Sequence, residues 1–263
     1  MSLLLREVEK SISLAVVRGG SKKDKRNNEI VYVSKDHDAS NMKDIKLDAP
    51  MYFQLIPPVN MERATMYYAG RSGSGKSTQV ALYVEEYHKI YPDNDIYLFS
   101  LKKVDPAFDN FNFPIHRIPI DESLNENQIQ IDELASSCVI FDDVDQISHN
   151  DKLLRNAVYN LIDQCLELGR ASEITCIVTY HLLTNGKDTR KILNEVFYIT
   201  IFPESGSFRG INYLLKEYLG FTKKQINKIK SLKSNWVTIY NTAPMTIISE
   251  HECFLLKAID DAE

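Results

Sequence analysis

The sequence predicts an α/β fold of three layers, in which a mostly parallel sheet lies between two layers of helices. The first observation is that short apolar runs of strand length alternate with helical patterns from residue 65 onward. These runs are Met66–Ala69, Ile96–Ser100, Cys138–Phe141, Ile174–Thr179 and Val196–Phe202. Strands buried on both faces are continuously apolar, and their alternation with helices is typical of βαβ units. The second observation is a glycine-rich loop between the first run and the helix that follows it.

Two amphipathic patterns predict the helices between these strands. Val80, Val84 and Tyr87 recur at helical spacing after the glycine-rich loop. A longer apolar stripe covers residues 154–168 and is followed by Gly169. A glycine at that point commonly ends a helix with a positive φ, so we expect this conformation at Gly169.

The segments on either side of this βαβ series have different patterns. Residues 11–18 and 29–34 have the composition of two short strands, and the polar segment between them predicts a hairpin with a basic tip, Lys22–Arg26. After residue 203 the pattern is α+β, with a capping box predicted at Thr222. We therefore divide the chain into an N-terminal extension (1–59), a core (60–205) and a C-terminal α+β subregion of the same domain (206–263).

Composition and charge limit the class of protein. The chain has 263 residues, a net charge of −5 and four cysteines without metal-binding spacing, which predicts buried free thiols in a reducing compartment. No apolar run approaches the ~20 residues of a membrane helix, and the N-terminus lacks the apolar core of a secretory signal. We therefore expect an intracellular protein that is not secreted and has no membrane segment. The stretch Arg209–Lys233 has seven basic residues and one acidic residue, 7 − 1 = +6, and could hold a polyanion.

The glycine-rich loop predicts a nucleotide site. Gly70–Ser77 matches the pattern G-x-x-x-x-G-K-[ST] between a strand and a helix, which is the context that a phosphate-binding loop requires. Its glycines allow backbone N–H groups to surround phosphates, and the helix directs its positive end at the same anion. Lys76 is suited to neutralise the phosphate oxygens of ATP, and the Ser77 hydroxyl is suited to bind Mg²⁺. The predicted phosphate-binding residues are Gly70, Arg71, Ser72, Gly73, Ser74, Gly75, Lys76, Ser77 and Thr78.

Acidic residues follow the apolar run at 138–141. We assign Asp142 to the magnesium shell and Asp143 to orientation and partial deprotonation of the attacking water, with Asp145 as an alternate. An acidic helix N-terminus would have a similar composition.

Four further residues are candidates for two catalytic roles. At the end of the next run, Thr179 or His181 would be a polar sensor beside the γ-phosphate. Arg170 and Arg190 are candidates for an arginine supplied to a neighbouring subunit, although either could be an ordinary surface residue.

Taken together, these motifs resemble those of the DNA-packaging ATPases of poxviruses and giant DNA viruses, which belong to the FtsK–HerA group of DNA translocases. The resemblance covers roughly residues 60–205 and is carried by Gly70–Thr78, Val139–Asp143, Leu168–Arg170, Thr179–His181 and Thr189–Glu195. Two departures are His181, where the group often has glutamine, and Asp143, where the FtsK branch usually has glutamate.

The resemblance implies a P-loop NTPase sheet of the additional-strand (51432-like) type, in which another strand separates the Walker B strand from the P-loop strand. It also implies Mg²⁺-dependent ATP hydrolysis, a homo-oligomeric ring that drives double-stranded DNA into a capsid, and a capsid or portal component as partner. The location would be the host cytoplasm (virus factory), the virion, or both.

Other classes of P-loop protein are weighed against this interpretation. Nucleoside or nucleotide kinases usually lack a water-activating acid pair and carry an arginine-rich lid, which we do not find. GTPases recognise their base with N-K-x-D, whereas the lysine of Asn185–Asp188 stands one place too late. A non-motor ATPase scaffold that uses nucleotide only to assemble remains an alternative.

Overall fold

The computed structural model describes residues 1–21, 24–35, 42–59, 61–126, 128–184 and 186–259. The chain divides into two compact units, one of Glu62–Val196 and one that joins Met1–Met61 to Phe197–Glu263. The sequence suggested three consecutive segments, and the second unit instead combines the two ends of the chain.

The unit Glu62–Val196 contains a five-stranded parallel sheet. Its strands are β6 (Thr65–Ala69), β7 (Ile96–Ser100), β8 (His116–Pro119), β9 (Cys138–Asp142) and β10 (Thr175–Tyr180). Their order is β6-β10-β9-β7-β8, and every neighbouring pair is parallel. The strand β10 therefore separates the P-loop strand β6 from the acidic strand β9, as the additional-strand prediction requires. The expected α/β class with a mostly parallel sheet is confirmed.

Helices connect these strands. They are α1 (Lys76–Ile90), α2 (Pro106–Asp109), α3 (Ser123–Glu126), α4 (Lys152–Glu167) and α5 (Gly186–Glu195), and short 3-10 turns cover Ile131–Leu134 and Val144–Gln146. The helix α1 contacts β9, and α4 contacts β10. Because the strands are parallel, their carboxyl ends lie at one edge of the sheet, and this edge carries the polar residues of the candidate site.

The other unit contains two antiparallel sheets. The first has β1 (Ser2–Leu4), β2 (Ile12–Arg18), β3 (Ile30–Ser34) and β5 (Tyr52–Leu55) in the order β1-β3-β2-β5. The second has β4 (Asp44–Lys46), β11 (Tyr198–Ile201), β12 (Val237–Tyr240), β13 (Thr246–Ser249) and β14 (Glu252–Leu255). The predicted N-terminal hairpin is confirmed as β2 and β3, which pair antiparallel. Lys22 and Lys23 of its predicted tip lie outside the described residues.

Helices α6 (Phe208–Tyr213) and α7 (Lys223–Lys230) also belong to this unit, with a π-helical turn at Leu214–Tyr218 after α6. The capping box predicted at Thr222 is confirmed, because its hydroxyl accepts the Gln225 N–H and the Gln225 side chain accepts the Thr222 N–H.

The expectation that Gly169 has a positive φ was wrong, and a glycine is needed there for a different reason. Gly169 does not have a positive φ, and Leu168, the C-cap residue of α4, has a right-handed helical backbone conformation. Instead, a Cβ at Gly169 would overlap the carbonyl oxygen of Cys165 and lie 2.8 Å from Arg63 Nη1. The Arg63 guanidinium donates hydrogen bonds to two carbonyl oxygens in the last turn of α4, those of Cys165 and Leu166. The glycine is therefore required for close packing at the helix end.

The prediction of buried free thiols is confirmed for Cys138, Cys165, Cys176 and Cys253. Among the residues that the structure describes, no helix has the length and apolarity needed to cross a bilayer.

Candidate functional site

The loop Gly70–Gly75 lies between β6 and α1, at the carboxyl edge of the parallel sheet. The Gly70 N–H donates to the carbonyl oxygen of Tyr180 at 3.1 Å, which joins the start of the loop to the end of the neighbouring strand β10. Gly73 and Gly75 have φ of 76° and 98°. A Cβ at Gly73 would meet nothing within 4 Å, so glycine is favoured there by backbone conformation and not by lack of space.

This loop fits the phosphates of a nucleotide. The first amides of the 15-residue helix α1 have no partner within the helix, and its dipole favours an anion at that end. The Ser74 hydroxyl oxygen is buried and has no hydrogen-bond partner among the described residues. Lys76 is only 5% exposed, and its Nζ donates to the carbonyl oxygen of Gly70 at 2.7 Å. One loop and the helix start that follows it thus supply a buried ammonium, a hydroxyl without a partner among the described residues, and helix amides available to an anion.

Asp142 lies at the end of β9 and is held by both neighbouring strands. Its Oδ2 accepts a hydrogen bond from Ser100 Oγ on β7 at 3.1 Å, and its Oδ1 lies 3.1 Å from Thr179 Oγ1 on β10. Burial raises the pKa of Asp142, and the neighbouring charge of Asp143 raises it further, against the lowering effects of Lys102, Thr179 and Ser100.

Asp143 follows β9 in a left-handed backbone conformation, with φ 51° and ψ 38°. This conformation is uncommon for a residue with a side chain and costs on the order of 1–3 kcal/mol. A hydrogen bond from the Asp143 N–H to Thr179 Oγ1 at 2.8 Å stabilises it. The result is that the Asp143 side chain turns toward the P-loop, where its Oδ1 lies 3.4 Å from Lys76 Nζ.

A second lysine, Lys102, contacts the acid pair. Its Nζ lies 2.7 Å from Asp143 Oδ2, 3.4 Å from Asp142 Oδ2 and 3.5 Å from Asp105 Oδ2. Burial raises the pKa of Asp143, but the hydrogen bond from Lys102 and the charges of Lys76 and Lys102 outweigh burial, so the pKa lies below its ordinary value. Burial lowers the pKa of Lys102, and its hydrogen bond to Asp143 with the three aspartate charges raises the pKa above its ordinary value.

Asp105 joins this cluster to the P-loop. Its Oδ2 accepts a hydrogen bond from Ser77 Oγ at 3.3 Å, while its Oδ1 accepts the Ala107 N–H at 3.1 Å as the N-cap of α2. Lys102, Asp105 and Ser100 were not predicted from the sequence. The available signal was their position, because all three end or follow an apolar strand at the edge where the P-loop begins.

The oxygen atoms of this cluster fit a magnesium ion. Mg²⁺ prefers oxygen ligands, usually one or two protein groups together with water and substrate phosphates. The Ser77 hydroxyl and the Asp142 carboxylate supply such oxygens. A chain of contacts joins them, from Ser77 to Asp105, from Asp105 to Lys102 and from Lys102 to Asp142. The assignment of Ser77 and Asp142 as metal ligands stays a prediction that this arrangement suits.

Thr179 and His181 both lie close to the acid pair. The Thr179 hydroxyl contacts both aspartates, whereas His181 Nδ1 lies 3.6 Å from Asp143 Oδ1 and 3.6 Å from Asp145 Oδ1. Asp145 accepts the backbone N–H groups of His181 and Leu182 at 2.9–3.1 Å. Asp145 therefore holds the segment after β10 in place, and its oxygens are already engaged.

The two candidate arginines lie on the surface of this unit. Arg170 follows α4 before β10 begins, at the amino edge of the sheet, and it forms an ion pair with Glu62. Its own side chain is 75% exposed. Arg190 is exposed on α5. The structure does not bring either residue to the acid pair within one chain, so a catalytic role for either requires a second subunit.

Comparisons with known proteins give both a relative and a fold. The chain is 37% identical over 240 residues to "Uncharacterized protein V3" of Sputnik virophage, and the match covers 90% of this chain and 92% of the relative. No protein-family model matches the chain.

Solved structures with a similar fold include two ATPases and a coupling protein solved with an ATP analogue. The structure of B204, the DNA-packaging ATPase of Sulfolobus turreted icosahedral virus, matches with a TM-score of 0.52 at 14% identity, over 73% of this chain and 98% of B204. The pCW3 conjugation coupling protein TcpA, solved with ATPγS, matches with a TM-score of 0.51 at 13% identity, over 95% of this chain and 81% of TcpA. The cytoplasmic domain of the Thermomonospora curvata type VII secretion ATPase EccC matches with a TM-score of 0.53 at 12% identity, over 79% of this chain and 28% of EccC. The chain therefore belongs to the family of protein V3 of Sputnik virophage, and it shares its fold with the DNA-packaging ATPase B204, with TcpA and with the ATPase EccC.

Proposed function

We propose that this protein is a Mg²⁺-dependent ATPase that drives double-stranded DNA into a viral capsid. The observation that carries the ATPase part is the buried contact between Lys76 of the P-loop and Asp143 of the acid pair, at 3.4 Å. In ATPases of this class, one such lysine neutralises the β- and γ-phosphates, and an acid at this place orients the attacking water.

Each group of the site has a role in this proposal. The loop amides and Lys76 bind the triphosphate, and Ser77 with Asp142 holds the magnesium ion. Bound magnesium would supply charge neutralisation at the phosphate oxygens. Asp143, fixed by Thr179, orients the water and accepts its proton. Thr179 or His181 senses the γ-phosphate beside this pair. The backbone of the site is already formed at the edge of the sheet, so binding requires rearrangement of side chains and not of the fold.

The motor part of the proposal is supported by the named relatives. The virus protein B204 is a DNA-packaging ATPase, TcpA is a conjugation coupling protein, and the 37% identical protein V3 comes from a virophage. We propose a homo-oligomeric ring in which Arg170 or Arg190 completes the site of the neighbouring subunit. The partner would be a capsid or portal component, and the protein would act in the host cytoplasm at the virus factory, in the virion, or in both.

The basic stretch Arg209–Lys233 is the proposed DNA-contacting surface, together with the Lys22–Arg26 tip as the other candidate. Within the stretch, Lys228 is engaged by Glu252 at 2.9 Å, whereas Lys223 and Lys233 are exposed. Ile226 and Ile229 are buried, so the apolar face of α7 packs inward, while Lys223 and Lys224 at its start are exposed. If these lysines neutralise phosphates, DNA affinity falls steeply with salt.

The test is steady-state ATP hydrolysis by the wild type and by Asp143→Asn, with and without double-stranded DNA, at low and moderate salt. We expect DNA to stimulate the wild type, and Asp143→Asn to lower turnover by about 10²–10⁴-fold because the general base is lost. The matched control is Asp93→Asn, which makes the same chemical change at an exposed aspartate after α1.

The outcomes separate the parts of the proposal. Turnover that DNA does not change would remove the translocase and favour a non-motor scaffold. Phosphate transfer to a nucleoside or nucleotide acceptor would make the protein a kinase. Equal turnover of Asp143→Asn and Asp93→Asn would remove Asp143 from the mechanism.

A further inference from the structure

The connection between β7 and α2 carries two charged residues that touch the prospective magnesium ligands. Lys102 contacts Asp142 at 3.4 Å, and Asp105 accepts a hydrogen bond from Ser77 at 3.3 Å. Lys102 and Asp105 also contact each other at 3.5 Å. One short segment, 101–105, thus reaches both residues to which the proposed function assigns the metal.

The ammonium group of Lys102 is surrounded by the three carboxylates of Asp105, Asp142 and Asp143. Two of them, Asp142 and Asp143, are 1% and 4% exposed. Two buried carboxylates on neighbouring residues repel each other unless a cation compensates them. Lys76 approaches only Asp143, so among the described residues Lys102 is the lysine that contacts both members of the pair.

In the protein without nucleotide, Lys102 is thus the cation that compensates the charges of Asp142 and Asp143. We propose that its ammonium group and the magnesium ion of Mg·ATP compete for the same aspartate oxygens, so that Lys102 sets how strongly ATP binding depends on magnesium. This inference rests on the proposed ATPase function.

The anchoring of Lys102 permits such an exchange. Its backbone is fixed, because its N–H donates to Ser100 Oγ at 3.1 Å and its carbonyl oxygen accepts from Arg117 Nη1 at 3.1 Å. Its side chain is 43% exposed, so the ammonium group has a path to solvent without any change in the fold. A lysine side chain is flexible and its ammonium is strongly hydrated, which favours release into water when a divalent ion takes over the carboxylates.

A direct contact of Lys102 with phosphate is the competing explanation. Lys102 follows β7, and two strands, β9 and β10, separate β7 from the P-loop strand β6. The measured contacts of Lys102 are with carboxylates, and Lys76 already supplies a buried ammonium within the P-loop. The two explanations predict different effects of magnesium, which makes them separable.

The experiment measures the dissociation constant of AMPPCP, a non-hydrolysable ATP analogue, by calorimetry in EDTA and in excess magnesium chloride. The quantity compared is the ratio of the two constants, EDTA over magnesium. We expect Lys102→Met to raise this ratio about tenfold or more relative to wild type, a change of about 1.4 kcal/mol. Without the lysine, the aspartates repel metal-free nucleotide more strongly and bind the metal without a competitor.

Two further variants serve as a control and as a second test of the inference. Lys103→Met removes the neighbouring exposed lysine and should leave the ratio within about twofold of wild type, since exposed charges contribute little. Lys102→Arg keeps the charge and tests the idea even if Lys102→Met folds poorly. A guanidinium binds carboxylates in a bidentate manner and should be harder to displace, so this ratio should fall.

The outcomes distinguish this inference from the function on which it rests. Equal weakening by Lys102→Met in both conditions would make Lys102 a phosphate ligand and overturn the inference. A ratio for Lys102→Met equal to that of Lys103→Met, or a raised ratio for Lys102→Arg, would overturn it as well. A wild type that binds no AMPPCP in either condition would instead refute the proposed function, and the inference with it.

Discussion

Thr179→Val removes one buried oxygen atom from the centre of the candidate site while keeping the shape of the side chain. Thr179 is fully buried on β10. Its hydroxyl accepts the Asp143 N–H at 2.8 Å and lies 3.1 Å from Asp142 Oδ1. It also lies 3.3 Å from Asp143 Oδ1. The substitution thus leaves one buried N–H without its acceptor and takes a donor from the acid pair.

The size of the effect follows from these contacts. A buried N–H left unpaired costs about 1–3 kcal/mol, and a lost hydrogen bond to a charged group costs about 1.5–3 kcal/mol. Because Asp143 is held at φ 51° partly by this bond, the residue can relax and recover some of the loss. We therefore expect Thr179→Val to lower the free energy of unfolding by about 2–4 kcal/mol. Turnover should fall about 100-fold, since displacement of a catalytic group by about 1 Å has effects of this order.

Thr175→Val is the matched control, because it makes the same change at a buried position at the other end of the same strand. Thr175 Oγ1 accepts the Ala64 N–H at 3.3 Å, far along the strand from the acid pair. Urea unfolding should show a loss of about 1–2 kcal/mol for this control, and steady-state ATP hydrolysis should stay within about twofold of wild type. Wild-type turnover in Thr179→Val, or an equal loss of turnover in both variants, would refute the positioning of Asp143 by Thr179.

Two substitutions test the structural assignments around the site. Gly169→Ala should lower the free energy of unfolding by about 1–3 kcal/mol in urea, because the new methyl group overlaps the Cys165 carbonyl oxygen; unchanged stability would show that the end of α4 can adjust. Asp145→Asn removes one of the oxygens that accept the His181 and Leu182 N–H groups. It should cost about 1.5–3 kcal/mol, and a change in turnover alone, without loss of stability, would indicate that Asp145 has a catalytic role.

The sequence predicted the central strands well because parallel strands are buried on both faces and are therefore continuously apolar. It missed β8 (His116–Pro119), which has only four residues, begins with two basic ones and is at least partly exposed throughout at the edge of the sheet. It also missed β1, β4, β5 and β14, which have only three or four residues each. Such short segments carry too few residues for a period-two pattern, and tertiary pairing determines their structure.

The residues of the candidate site also fall into two groups. Some could be predicted from a local sequence motif, and the roles of others depend on which strands are neighbours. The P-loop was predictable because nine consecutive residues supply the chemistry, and the order of motifs indicated its neighbours. Lys102 and Asp105 were not predictable, because their roles depend on which strands are adjacent. Only the order β10-β9-β7 brings the end of β7 beside Asp142. The sequence signal for these two residues was a charged residue soon after a buried strand. Many ordinary surface loops have the same feature, so it does not identify a site.

The surroundings of the acid pair bear on how the proposed reaction would begin. The two aspartates have opposite pKa shifts, since burial and the Asp143 charge raise the pKa of Asp142, while lysines lower that of Asp143 against the effect of burial. A carboxylate with a lowered pKa is a poor base. In the proposed complex both ammonium groups leave Asp143. That of Lys76 binds the phosphates, and that of Lys102 moves into solvent. When Lys76 binds the phosphates, Asp143 loses one of the charges that lower its pKa, and its basicity rises. The departure of Lys102 adds nothing to this rise, because the magnesium ion would bring its own positive charge to the same carboxylates. Binding of the triphosphate would thus raise the basicity of the group that the reaction needs, whereas in the protein without nucleotide Asp143 stays paired with Lys76.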